Sequence, residues 1–154
     1  MKIEDALKQK SFASPVQKAM VNILYTSVWL HQKQAEVFKP YGLSSQQYNV
    51  MRILRGQHPN AASVKLVAGR MIDKSSNVSR LVEKLRAKNY IERTPSANDR
   101  RQVDILITDL GLEVLKELDT QLSQRQLKLC GLNEEQLEQL SDLLDQLRSS
   151  EEQA

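Results

Sequence analysis

The fold of this chain is decided by residues 74–108, which read KSSNVSRLVEKLRAKNYIERTPSANDRRQVDILIT. Apolar residues recur at helical spacing in its first part, so we predict a helix from about Ser75 to Lys88. Alternating apolar residues further on predict two strands, Tyr90–Thr94 and residues 103–107, joined by a run of turn-forming residues. The stretch therefore predicts a helix followed by a β-hairpin.

A shorter helix precedes this one. Ser63 is a candidate N-cap for a helix over residues 64–71, and a brief turn at Ile72–Asp73–Lys74 leads into the next helix. The second helix buries an apolar stripe and leaves small, polar and basic side chains outward. Two short helices joined by a brief turn, with such an outward face on the second, predict a helix-turn-helix.

Two further helices are predicted before this unit. Ser14–Pro15 combines an N-cap with proline at the first helical position, which predicts a long helix ending near Phe38. Ser44 and Gln47 have the spacing of a capping box, and they begin the second helix. Gly56 is placed to end that helix, and we predict the left-handed conformation for it.

Two leucine-rich helices are predicted after the hairpin, over residues 109–129 and, capped by Asn133, over residues 134–147. Their leucines recur every three or four residues, so each helix has one apolar face. The leucines concerned are Leu115, Leu118, Leu122, Leu129, Leu137, Leu140, Leu144 and Leu147. Together these faces exceed what one small domain buries, which predicts a partner surface.

Composition bounds the class of protein. The 154 residues suit one domain of ordinary size, and no apolar run exceeds three residues, so we expect no membrane helix and a cytoplasmic protein. A single cysteine excludes an intrachain disulfide, and two distant histidines offer no zinc-ligand spacing. We expect no cofactor and no metal.

Charge is distributed unevenly along the chain. Residues 1–62 carry 8 basic and 3 acidic side chains, residues 63–108 carry 10 and 5, and residues 109–154 carry 4 and 11. The net charges are therefore +5, +5 and −7. A basic region on a small domain suits a polyanionic partner, although charge alone fits an unevenly charged solvated surface equally well.

The predicted recognition helix carries side chains that bind bases and phosphates. Asn77 suits adenine, Arg80 suits the O6 and N7 atoms of guanine, and serines bind phosphates or base edges. The candidate DNA-binding residues are Ser75, Ser76, Asn77, Ser79, Arg80 and Lys84, with Lys74 and Lys88 as further phosphate contacts. Each one alone fits an ordinary solvated helix face, so it is the cluster that favours double-stranded DNA as the partner.

The tip of the hairpin adds two arginines. A planar guanidinium fits a narrow minor groove, where the negative potential is strong, so one of Arg100 and Arg101 is predicted to enter it. The other is predicted to pair with Asp99 and brace the turn. The sequence leaves open which arginine takes which role.

These residues resemble the MarR-type winged helix-turn-helix regulators. Their wing signature is matched by Asp99, Arg101, Ile107, Thr108 and Gly111, and residues 79–85, 91–93 and 43–48 are similar to the family pattern. The resemblance covers nearly the whole chain from about Ser14. Two departures are Ile72–Asp73–Lys74, where the family usually has a small residue, and Ile107, where it usually has leucine.

The resemblance implies a mainly α fold with a small β-hairpin wing. It implies a single domain over residues 1–154, with a DNA-binding lobe over about 43–108 and a helical dimerisation region over about 14–39 and 109–149. It also implies a homodimeric transcriptional regulator, most often a repressor, that binds a pseudopalindromic operator and is released by a small, often aromatic, ligand. Candidate ligand-lining residues are Trp29, His31 and Tyr48, although an aromatic residue on a helix more often belongs to the core.

Two alternatives remain open at this stage. Oxidation of Cys130 would replace the ligand as the trigger, although a buried structural cysteine is the prediction that we favour for this position. A winged-helix module that binds protein instead of DNA is the other alternative, and the arginine cluster argues against it. We expect no enzymatic activity, because the sequence has no phosphate-binding glycine loop and no credible catalytic spacing.

Overall fold

The predicted order of elements is confirmed by a computed structural model, which describes residues 1–96 and 103–149. The helices of this part of the chain are α1 (Ile3–Leu7), α2 (Pro15–Phe38), α3 (Ser45–Arg55), α4 (Val64–Arg70), α5 (Val78–Arg86), α6 (Asp109–Leu129) and α7 (Glu134–Ser149), with a 3-10 turn at Lys39–Tyr41. The strands are β1 (Ala62–Ser63), β2 (Ile91–Pro95) and β3 (Val103–Ile107). The chain forms two units, Met1–Thr120 and a second that begins at Gln121.

The predicted helix caps are confirmed. The Ser14 hydroxyl accepts a hydrogen bond from the Gln17 N–H at 3.1 Å. Ser44 and Gln47 form the full capping box, with side chain to backbone distances of 3.2 and 2.9 Å. Asn133 caps α7 in the same way, accepting from the Gln136 N–H at 2.9 Å. These caps satisfy N–H groups that have no partner inside their own helices.

The wing is a three-stranded antiparallel sheet in the order β1-β3-β2. In the β2–β3 hairpin Ile91 lies opposite Ile107 and Pro95 lies opposite Val103, so the predicted hairpin is confirmed. The short strand β1 pairs with the other edge of β3. Asp99, Arg100 and Arg101 lie outside the described residues.

The core of the first unit is built from the predicted apolar stripes. Helix α3 contributes three fully buried side chains, and the inward faces of α4, α5 and both hairpin strands pack with it. The core residues of these elements and of α6 are Val50, Met51, Leu54, Val67, Val82, Leu85, Ile91, Ile105, Ile107, Leu115 and Leu118. This core holds the recognition helix α5 against the sheet and leaves its opposite side exposed.

The prediction for Gly56 is wrong. It ends α3 in the right-handed region, with φ −66° and ψ −11°, because the chain continues in the same sense through the Gln57–Asn60 turn. Among the described residues the left-handed conformation belongs instead to Lys8 (φ 53°) after α1, Gly42 (φ 59°) after the 3-10 turn, and Asn89 (φ 58°) after α5. A glycine near a helix end therefore marks the end, while the direction of the following chain decides its conformation.

Helix α1 was not predicted. Five residues are too few for a stable isolated helix, so its formation depends on tertiary contacts. Ile3 is buried, and Glu4 pairs with Lys18 of α2 at 2.6 Å. The hydrogen bond from Lys18 holds the pKa of Glu4 below its usual value.

Helices α2 and α7 each expose several apolar side chains in the single chain. On α2 residues four apart form an exposed apolar stripe: Val16, Met20, Leu24 and Val28. On α7 the exposed leucines include Leu137, Leu140 and Leu143. Contiguous exposed apolar surface on a protein usually marks an interaction site.

No helix among the described residues is both long and apolar enough to cross a bilayer.

Candidate nucleic-acid interface

The recognition helix begins three residues later than predicted. Asn77 is its N-cap, and its side-chain oxygen accepts a hydrogen bond from the Arg80 N–H at 3.1 Å. Paired hydrogen bonding to adenine requires the same oxygen. In this arrangement Asn77 caps the helix, and the oxygen that the predicted base contact needs already accepts one hydrogen bond.

Ser75 and Ser76 lie in the turn before α5 instead of on the helix. Ser75 donates to the Asp73 carboxylate from its N–H at 2.9 Å and from its hydroxyl at 2.6 Å. These two bonds, the hydroxyl first, hold the pKa of Asp73 below its usual value. The hydroxyl oxygen of Ser76 is buried. Ser75 is thus engaged within the turn and the Ser76 hydroxyl is withdrawn from solvent, so the predicted phosphate contacts of these serines do not match this geometry.

The outward face of α5 consists of Ser79, Arg80 and Lys84. All three are exposed, and their side chains form no hydrogen bond or ion pair with any residue in the described ranges. At 100° per residue they fall within about 140° of one another, opposite the buried stripe of the helix. The structure therefore presents an arginine, a lysine and a serine on one accessible surface, as predicted.

The two other predicted phosphate-binding lysines are engaged elsewhere. Lys74 donates to the Gly69 carbonyl at 2.6 Å, and Lys88 donates to the Tyr41 carbonyl at 3.4 Å. Both contacts tie the helix-turn-helix to neighbouring backbone. Their role in the free protein is therefore structural, and sequence alone could not separate them from Lys84.

Polar contacts join α5 to the first strand of the wing. Glu83 of α5 pairs with Arg93 of β2 and, at 3.2 Å, with Arg86 of its own helix. The hydrogen bond from Arg86 is the main reason why the pKa of Glu83 lies below its usual value, and the charge of Arg93 adds to it. This cross-link between helix and strand was missed at the sequence level, because nothing in the local pattern pairs residues ten apart in different elements.

The motif Thr108–x–x–Gly111 fixes the end of the wing at which β3 leads into α6. The Thr108 hydroxyl donates to the Asn89 carbonyl at 2.7 Å and accepts from the Gly111 N–H at 3.0 Å. The Thr108 N–H donates to the Tyr90 carbonyl at 3.1 Å. Asn89 itself ends α5 in a Schellman arrangement, with the Tyr90 N–H bonded to the Leu85 carbonyl. The end of the recognition helix and the start of α6 are thereby joined by one threonine.

A partly buried polar cluster connects α3 to α6. The Tyr48 hydroxyl donates to Asp119 at 2.5 Å, and Arg55 pairs with the other carboxylate oxygen at 2.5 Å. The Tyr48 ring stacks on Phe38 with centroids 4.7 Å apart, and the Arg52 guanidinium lies 6.0 Å from it. Asp119 is 71 residues from Tyr48 in sequence, so no local pattern predicts the pair.

The three predicted ligand-lining residues do not converge. Tyr48 belongs to the polar cluster just described. Trp29 is half-buried and His31 is exposed, and along the axis of α2 they lie about 13 and 10 Å from Phe38, on which Tyr48 stacks. The two residues also point about 160° apart around α2.

The polar cluster predicts how stability depends on pH. Burial, and then the hydrogen bond to Asp119, raise the pKa of Tyr48 to about 12. Burial also raises the pKa of Asp119, but hydrogen bonds from Tyr48 and Arg55 outweigh it and leave this pKa below its usual value. The Tyr48 contribution is thus complete below about pH 10 and is lost towards pH 12, whereas the Asp119 contribution is present above about pH 4 and is lost in acid.

Urea unfolding across this pH range tests the prediction. Tyr48→Phe should cost about 1–2 kcal/mol at pH 7, a value reduced by partial exposure, and should flatten the alkaline loss of stability. Asp119→Asn should flatten the acid loss. An alkaline limb that is identical in wild type and Tyr48→Phe would contradict the assignment.

Cys130 is exposed, so the prediction of a buried cysteine is wrong. It follows directly on the last residue of α6, and residues 126–132 around it are all exposed in the single chain. Among the described residues, no group of three or more histidine, cysteine, aspartate or glutamate side chains is placed to bind a metal ion.

The pair α4–α5 followed by the β2–β3 hairpin defines a winged helix-turn-helix protein. A profile of the MarR family matches residues 41–102. A MarR transcription factor from Planctomyces limnophilus, known from its crystal structure, is 31% identical, and the comparison covers 94% of this chain and 100% of that chain at a TM-score of 0.66. The chain therefore belongs to the MarR family of transcriptional regulators.

Two further comparisons agree with this membership. The transcriptional repressor IacR of Pseudomonas putida is 26% identical over 117 residues, which are 74% of this chain and 68% of IacR. The fold is shared with S. aureus MepR in its complex with DNA, at 22% identity, a TM-score of 0.74, and coverage of 83% of this chain and 94% of MepR. The match spans only about half of some curated relatives, 54% in one and 51% in another.

Proposed function

We propose that two copies of this DNA-binding regulator pair and read a pseudopalindromic operator, each placing α5 in a major groove. The observation that carries the proposal is the exposed face of Ser79, Arg80 and Lys84, whose side chains have no partner among the described residues. Arginine binds the guanine edge in two places, and lysine and serine bind phosphates. MepR, which shares this fold, was crystallised as a complex with DNA.

Pairing is supported by the exposed apolar stripes. Residues four apart on α2 form one stripe, and leucines of α7 form another, each on a helix that lies outside the proposed DNA-binding lobe. In this proposal residues 43–108 bind DNA, while residues 14–39 and 109–149 form the dimerisation region. The acidic charge of residues 109–154 suits this division, because negative charge disfavours phosphate binding by these residues.

The proposed operator has two-fold symmetry because the dimer has it. Half-sites should lie about one helical turn, roughly 34–36 Å, apart. Each lysine or arginine bound to a phosphate releases condensed counterions, so affinity should fall steeply with salt. Binding at an operator that overlaps a promoter would block transcription, and we propose repression as the outcome, as the name of IacR states for that relative.

Release by a small ligand, with an aromatic compound as the favoured class, completes the proposal. Among the three candidate lining residues, Trp29 has the strongest support because it is half-buried and aromatic, whereas His31 is exposed and Tyr48 is held by Asp119. A redox trigger at Cys130 is the second candidate. Its supporting observation is the exposure of the thiol, which oxidation requires.

The proposal is tested by measuring DNA binding and dimerisation on the same protein variants. A gel shift with DNA upstream of the gene should give a sequence-selective complex at moderate salt. The double variant Met20→Glu, Leu24→Glu should raise the dimer dissociation constant about 100-fold or more, because pairing would bury two unpaired charges. The same variant should lose the shift at equal protein concentration.

The matched control is Asn22→Glu, which lies on the same helix about 160° around from both substituted positions. It adds a charge without touching the stripe and should leave sedimentation and DNA binding unchanged. A double variant that still sediments as a dimer would exclude this stripe as the pairing surface. A wild-type protein with no selective shift would exclude the DNA-binding proposal itself.

A further inference from the structure

Ile72 is, after Met1, the most exposed large apolar side chain among the described residues of the first unit. It is 85% exposed, and it stands in the turn between α4 and α5. The residues on either side behave differently, since Met71 is buried and Asp73 is engaged in hydrogen bonds. A branched aliphatic side chain is therefore presented to solvent directly beside the proposed DNA-reading helix.

The backbone beneath Ile72 is held in place. Its N–H donates to the Asn49 side-chain oxygen of α3 at 2.9 Å. One residue later the Ser76 N–H donates to the Asp73 carbonyl at 3.2 Å, which closes a tight turn. Such a turn brings its first and last Cα atoms within about 7 Å, so the Ile72 Cα lies within about 11 Å of that of Ser76.

The surroundings of Ile72 suit a polyanion better than an apolar protein partner. Asp73 and Lys74, which follow it, bind Ser75 and the Gly69 carbonyl within the turn. Arg70 before it and Arg80 beyond it are exposed. The major groove is about 12 Å wide, so a side chain at this position is within reach of base pairs beside those that α5 contacts.

We propose that Ile72 packs against the C5-methyl group of a thymine at the edge of each half-site and selects that base. The inference rests on the proposed function and adds a specificity-determining residue to it. The thymine methyl is the apolar group that unmodified DNA displays in the major groove, and apolar side chains recognise it by contact. Asp73, Lys74 and Ser75 are engaged in hydrogen bonds and the Ser76 hydroxyl is buried, so Ile72 is the side chain of this turn left to read a base.

The test removes the methyl group from the DNA and the side chain from the protein. Operators are first selected from random duplexes with the wild-type protein. Each thymine of the selected half-site is then replaced by deoxyuridine, which lacks the methyl, and affinity is measured by fluorescence anisotropy. At one position per half-site, this replacement should lower the affinity of the wild-type protein about three- to tenfold. That is the effect expected when one methyl group is buried against an apolar side chain.

The same replacement in the DNA should lower the affinity of Ile72→Ala less than twofold. Ile72→Val should retain most of the wild-type preference for thymine over deoxyuridine. Thermal unfolding of these variants should match the wild type, because the side chain is exposed. Equal losses for wild type and Ile72→Ala, or no deoxyuridine-sensitive position, would overturn the inference and indicate a sugar–phosphate or protein contact instead. Failure to select any sequence would overturn the proposed function together with it.

Discussion

Replacing Gly111 with alanine is expected to lower the free energy of unfolding by about 3 kcal/mol or more. A Cβ atom at this position would overlap the Tyr90 carbonyl oxygen and lie 2.9 Å from Cγ1 of Ile107 and 3.1 Å from the Tyr90 carbonyl carbon. Backbone atoms of the α5–β2 connection cannot rotate away as a flexible side chain can. Relief would require α6 to separate from this connection, which would also strain the Thr108 hydrogen bonds.

Thermal and urea unfolding measure this effect. For a chain of this size, 3 kcal/mol corresponds to a fall in Tm of roughly 6–12 °C. Gly69→Ala is the matched control, because it lies inside α4 with open space where its Cβ would stand. That substitution should leave stability unchanged or raise it by up to about 1 kcal/mol. If the two variants unfolded alike, the close approach at Gly111 would not explain its place in the motif.

The Arg80→Ala substitution is expected to weaken operator binding by about 1–3 kcal/mol, which is about 5- to 150-fold in Kd. The side chain is exposed and forms no contact with a partner among the described residues, so the fold should not change. If Arg80 contacts a guanine edge, as we propose, the loss should be accompanied by relaxed selectivity at one base pair per half-site.

Lys84→Ala should behave differently from Arg80→Ala. A phosphate contact carries no base information, so affinity should fall to a similar extent on all sequences and the salt slope should decrease by about one. Fluorescence anisotropy at several salt concentrations separates the two patterns. Arg148→Ala, which removes a positive charge from α7, serves as the control for net charge. An Arg80→Ala variant with wild-type affinity and selectivity would place the DNA-reading surface elsewhere.

Local patterns in the sequence predicted most of the elements and their caps. The N-caps Ser14, Ser44, Ser63 and Asn133 were identified because a cap bonds an N–H only two or three residues away. The apolar stripes of α3 to α6 were identified because burial follows the helical period. The exposed face of Ser79, Arg80 and Lys84 follows from the same periodicity, as the side opposite the stripe.

Specific polar contacts decided what these patterns could not. The role of Asn77 and of the two serines before it depends on where α5 begins, which the Asp73 turn determines. Lys74, Lys88 and Lys84 are the same type of residue. Lys74 and Lys88 differ from Lys84 only in that a backbone carbonyl lies within hydrogen-bonding distance of each. Tyr48 was predicted to line a ligand site. Its bond to Asp119 could not be predicted, because Asp119 lies far away in sequence.

Residues 74–111 show most clearly which features the sequence determined and which the tertiary structure decided. Their sequence alone determined a helix, a hairpin and a threonine–glycine motif, because helical period, strand alternation and turn propensity act over a few residues. Tertiary structure decided that Thr108 joins the Asn89 carbonyl to the first turn of α6, and that Gly111 leaves room for the Tyr90 carbonyl. Such close approaches between backbones depend on distances across the fold, and no local pattern of side chains records them.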